Sequence, residues 1–238
     1  MESILWDYLA EISLFTKIYS KYNLFTNTNP ITLYSICRQI ENESISEMSE
    51  NFSSKEYFIR RLLNIAFLYY TIGFIPYSKT SEKAIKKSLS LTQKILMYDP
   101  ENKEAKKFIP ICLHAKSNIT QQTNDYLISS LFLKDLVEES TISKQQLEYA
   151  YCEDLIGSNQ FNECMKFVKS KLGSNEITYE SNLMFILSKC LHEKNDEKFF
   201  KFFENSIKKD EKNFNIYSVR NQFFDSYIFY LGIWRYLY

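Results

Sequence analysis

The sequence predicts an all-α protein made of stacked antiparallel helix pairs, and three observations carry that reading. Glycine and proline number only 4 each among 238 residues, too few for the tight turns of strand-rich or α/β folds. Apolar residues recur at spacings of three and four in segment after segment, which places them on one face of a helix. No segment sustains the period-two alternation of a half-buried strand, so no sheet is expected. Hydrophobic residues make up 45% of the chain, enough to bury a core and to argue against long disorder. The length suits one sizeable domain or a short repeat array. Residues 1–238 are read as a single helical repeat domain, with N-terminal helices over 1–53 and an array over 54–238.

Taken in order, the spacing predicts a first helix over 3–22, where Leu5, Tyr8, Leu9, Ile12, Phe15 and Tyr19 share a face. A second spans 30–42, with Asn29 as N-cap and Pro30 at the first helical position, where a missing N–H costs nothing. Residues 43–53 are polar and read as a loop. The third helix, 54–74, opens on a Ser53–Glu56 capping box, and its body from Leu62 to Tyr70 is apolar nearly all round, as in a buried central helix. Gly73 and Pro76 end it. The next helix starts at Thr80 or Ser81 and stops at Tyr98, before Pro100. Further helices are expected over 102–116 (kinked at Pro110), 121–139, 143–157 (with a second capping box, Ser143–Gln146), 160–172, 177–192, 195–209 and 214–237, giving about 10–11 in all. The breaks fall at Gly157-Ser158-Asn159, Gly173-Ser174-Asn175, Glu193-Lys194-Asn195 and Asp210 to Asn213.

A bundle and a solenoid both fit such helices, and internal period discriminates between them. Ile95-Leu96, then Asp99-Pro100-Glu101-Asn102, then Glu104-Ala105 resembles the join between two units of the tetratricopeptide repeat (TPR) family. Starts placed by this join and by the residue opening each second helix fall near 69, 103, 145, 180 and 214, which are 34, 42, 35 and 34 residues apart. The family period is 34 residues. Cys164, Val168 and Leu172 fill the packing positions of one second helix, and Phe199, Phe203 and Ile207 those of the next. The family's first-helix Trp, Leu-Gly and Tyr positions are mostly unmatched. The resemblance implies a right-handed solenoid of helix pairs over roughly 69–238, and a scaffold or adaptor role.

Charge and chemistry narrow the function classes. Lys plus Arg equals Asp plus Glu at 29 each, so the basic excess common in nucleic-acid binders is absent overall. The five cysteines are scattered, odd in number and never in a C-x-x-C pair, which favours buried free thiols in a reducing compartment over disulfides or a zinc site. Glu2, Asp7 and Glu11 argue against a targeting peptide, and no stretch reaches the apolar length of a membrane span. A cytoplasmic protein is expected, including one on the cytosolic face of an organelle or in the nucleus. His114 reads as a core or boundary histidine and His192 as a helix-end residue near free carbonyls. Cys112 and His114, like Cys190 and His192, stand two apart, a spacing that points helical side chains to different sides, so no metal or cofactor is expected. No Gly-rich phosphate loop, H-E-x-x-H or G-x-S-x-G occurs, and Asp135 to Glu139 reads as a solvated helix end. The chain is expected not to be an enzyme, and a helical enzyme is the third reading.

Three candidate surfaces remain. Lys83, Lys86, Lys87 and Lys94, with Lys103, Lys106 and Lys107, form a basic strip that suits an ordinary solvated face or, as the alternative function, an RNA- or ribosome-associated factor. Some TPR domains hold a peptide carboxylate with Lys and Asn on the groove-lining helices. At the matching places stand Gln146, Tyr149 and Glu153; Ser181, Met184 and Ser188; and Asn215, Ser218 and Gln222. Such a clamp is therefore not expected, and a polar, partly aromatic groove for a peptide is. The C-terminal segment is aromatic almost all round, which suits packing back into the array's own core, docking on a partner or second copy, or, least well for want of a basic face, lying at a membrane interface; Phe224, Tyr227, Tyr230, Trp234 and Tyr238 are its partner-binding candidates. The expected partner is a protein, either another subunit, a peptide segment or a second copy, with no membrane insertion.

Overall fold

The computed structural model describes residues 31, 34–39, 41–42, 55–73, 79–139, 144–173 and 177–209. Among them every regular element is a helix and none is a strand. Residues 34–39 and 41–42 are helical, within the helix predicted over 30–42. Eight longer helices follow: α1 (Lys55–Gly73), α2 (Lys79–Tyr98), α3 (Lys103–Thr120), α4 (Thr123–Glu139), α5 (Lys144–Gly157), α6 (Phe161–Lys171), α7 (Ile177–Glu193) and α8 (Phe199–Lys209). The helices predicted over 3–22 and 214–237, and the capping hydroxyls of Ser53 and Ser143, lie outside the described residues. The chain divides into two compact units, Met1–Phe132 and Leu133–Tyr238.

In the first unit α1 packs against α2, α2 against α3, and α1 touches α3. Leu62, Ile65, Ala66 and Tyr69 of α1 join Ala84, Leu91 and Ile95 of α2, Ala105 of α3 and Cys37 in one core. Their spacings of three and four explain why both helices form and which faces they bury. The α1–α2 approach is close. The Ser88 hydroxyl donates to the Ala66 carbonyl at 2.7 Å, and a Cβ added at Gly73 would collide with the Ile85 side chain.

The Asp99-Pro100-Glu101-Asn102 junction is ordered by its own polar atoms. Asn102 is the N-cap of α3: its Oδ1 accepts from the Ala105 N–H at 3.0 Å and its Nδ2 donates to Asp99 at 3.1 Å. Pro110 is buried inside α3 without ending it. The helix runs past the end expected near residue 116 to Thr120, where Gln121 turns left-handed at φ 51° and its N–H reaches the Ser117 carbonyl at 2.8 Å.

In the second unit α5 packs against α6 and α7, α6 against α7, and α7 against α8. The two hairpin turns are built alike. At α5–α6, Asn159 takes φ 61°, its N–H bonds the Ile156 carbonyl at 2.9 Å, and the Gln160 N–H bonds the Leu155 carbonyl at 2.8 Å. At α7–α8, Asn195 takes φ 54°, its N–H bonds the His192 carbonyl at 2.9 Å, and the Asp196 N–H bonds the Leu191 carbonyl at 2.9 Å. This is the paired 6→1 and 5→2 bonding of a Schellman cap, with asparagine in the left-handed position. Asparagine suits it because its short polar side chain tolerates that conformation better than other non-glycine residues.

Candidate interaction surfaces

Each unit holds a buried carboxylate that a lysine from another helix neutralises. Glu41 accepts from the Tyr69 hydroxyl of α1 at 3.0 Å and pairs with Lys87 of α2 at 2.8 Å. Glu148 of α5 accepts from the Tyr179 hydroxyl of α7 and pairs with Lys171 of α6 at 2.8 Å. The α7–α8 hairpin repeats the second arrangement, with Glu180 in the first turn of α7 paired with Lys209 at the end of α8. In both hairpins a glutamate near the start of the first helix thus meets a lysine at the end of the second. Antiparallel packing brings those two ends together, and the low dielectric makes such a carboxylate costly unless it is paired.

These pairings bear on the lysine strip. Lys87 turns toward buried Glu41, Lys86 pairs with Glu82 at 2.6 Å and Lys106 with Glu101 at 2.8 Å. Lys83 and Lys107 are exposed. Three of the five principal lysines proposed for the strip are thus paired with acids.

The groove candidates separate. Ser188 is buried and donates to the Phe185 carbonyl of its own helix at 2.7 Å, while Ser181 is buried and donates to the Ser206 carbonyl of α8 at 2.8 Å. Both hydroxyls are buried and bonded inside the unit. Met184, Tyr149 and Glu153 are half-buried. Burial first, then the Glu153 charge, raises the Tyr149 phenol above its ordinary range. The Gln146 side chain, Gln222, and the aromatics Phe224, Tyr227, Tyr230, Trp234 and Tyr238 lie outside the described residues.

All five cysteines are free and buried. Burial, then the Glu41 charge, pushes the Cys37 thiol up to about 12. Burial pushes Cys112 up to about 12 against a lowering hydrogen bond from Ser88. Cys152, Cys164 and Cys190 come together from α5, α6 and α7; hydrogen bonding to Cys152 and burial raise the Cys164 thiol against a lowering bond with Cys190, and hydrogen bonding to Cys164 and burial raise Cys190. A thiol held protonated and away from solvent is a poor nucleophile. Among the described residues no group of three or more His, Cys, Asp or Glu is placed to hold a metal ion, and no helix is long and apolar enough to cross a membrane.

His114 is half-buried, with its Nε2 3.0 Å from the Asn118 amide. Asn118 in turn accepts from the Tyr126 hydroxyl at 3.3 Å. Beside it Asp125 accepts from Lys116 and Thr120, each at 2.7 Å. Burial pushes the Asp125 carboxyl up, but these hydrogen bonds and the Lys116 and Lys86 charges outweigh it and hold the group below the usual carboxylate range. The network fixes the start of α4 on the end of α3. His192 meets Phe199 edge-on at 5.0 Å at the α7–α8 turn.

Sequence reasoning missed one surface. α4 leaves Leu127, Ile128, Leu131 and Phe132 exposed at 41%, 45%, 61% and 49%, while Ser129, Ser130, Leu133, Leu136 and Val137 are buried. The available signal was an excess of apolar side chains: residues 127–137 carry apolar groups on both sides of the helix, more than one packing face needs. Adjacent exposed apolar residues of this size mark binding surfaces more often than scattered ones do.

Set beside known proteins, the chain matches no family model and no curated protein.

Proposed function

We propose that the chain is a non-catalytic scaffold or adaptor of the TPR type, a subunit of a larger protein assembly. The observation that carries this reading is the recurrence of one hairpin design in α5–α6 and α7–α8. Both share the asparagine Schellman turn and the glutamate-to-lysine tie, and α5 packs on both α6 and α7. Stacked repeats of this kind bury a continuous core between neighbours and present extended binding surfaces. The passage from that architecture to scaffolding rests on how such folds are commonly used. The exposed apolar face of α4 adds a place for a permanent partner to cover, and the C-terminal aromatics are the second proposed anchor.

The lysine strip supports an RNA-binding alternative less well. Glu82, Glu41 and, in the α2–α3 junction, Glu101 reduce the field that Lys86, Lys87 and Lys106 offer to phosphates.

The test is recovery of the full chain, tagged, from its own cells. The wild type is expected to bring down a protein in fixed ratio. Leu127→Glu with Leu131→Glu, or Trp234→Ala with Tyr230→Ala, is expected to lose that protein while circular dichroism stays unchanged. Equal recovery by the wild type and by both folded variants contradicts partner anchoring at these surfaces.

A further inference from the structure

We draw no further inference here: the strongest candidate, the apolar face that Leu127, Ile128, Leu131 and Phe132 present on α4, already supports the proposed function, and nothing in the structure shows what covers it.

Discussion

Asn102 holds the α2–α3 junction with both ends of its amide, accepting from the Ala105 N–H and donating to Asp99. Replacing a side-chain N-cap with alanine costs about 1 kcal/mol. Asn102→Ala is therefore expected to lower stability by roughly that amount in urea denaturation, with an unchanged m-value. Asn102→Asp keeps the cap acceptor but loses the donation and faces the Asp99 carboxylate, so it should fall between wild type and Asn102→Ala. The sequence marks Asn102 only as part of the Asp-Pro-x-Asn join, and its capping role comes from the structure, although the signal is local: Asn stands three residues before the N–H it accepts. The left-handed Asn159 and Asn195 lie in segments read only as breaks. Their shared geometry depends on where the chain turns, which residue type alone does not specify.

At the scale of elements, the hairpins rest on ties that join distant residues. Lys171 sits over a buried Glu148 carboxylate that Tyr179 also bonds. Removing one partner of a fully buried pair costs about 3–5 kcal/mol, and the partial exposure of Lys171 reduces this. Lys171→Met is expected to destabilise the chain by on the order of 2 kcal/mol, whereas Glu148→Gln, which removes the charge but keeps an acceptor for Tyr179, should cost less. Chemical denaturation of both variants measures the difference, and a larger loss for Glu148→Gln would argue against the tie. No periodic pattern announces such a pair, since its members belong to different helices.

Asp125 ties α3 to α4, and its carboxyl is held below its unfolded value of about 3.9. The folded state therefore binds a proton less readily than the unfolded chain. The stabilisation is fully present above pH ~4 and is lost as pH falls through the lower folded value. Amide exchange at the start of α4, measured as free energy of opening, should lose protection across that acid window in the wild type. In Asp125→Asn the loss should be smaller, and equal pH dependence in both proteins would exclude Asp125 as the cause. Element boundaries elsewhere followed the sequence where Gly, Pro or Asn interrupts a periodic run. They departed where polar residues were diverted to caps. α8 begins at Phe199 rather than near 195 because Asn195 takes the Schellman position and Asp196 accepts from the Lys198 N–H at 3.0 Å.

Across the whole molecule, the helical class was readable from composition and period because both act through every turn of every helix. The surfaces were not. The sequence shows apolar residues on both sides of α4 but does not reveal that Leu133, Leu136 and Val137 are covered while Leu127, Ile128, Leu131 and Phe132 remain open. It places the seven lysines of the candidate strip along α2 and α3 without revealing that Lys87 is committed to Glu41. Fully burying one Leu, Ile or Phe side chain contributes about 1.5–3 kcal/mol, so leaving four partly exposed forgoes several kcal/mol that association would recover. That balance is expected of a subunit completed by another protein.

The most direct measurement is the native mass and composition of the full chain isolated under gentle conditions from its own cells, by size-exclusion chromatography with light scattering followed by mass spectrometry. A scaffold subunit is expected to elute in a discrete assembly, in fixed ratio with at least one different protein. Elution of the chain alone, as a well-behaved monomer or only with copies of itself, would contradict the assignment.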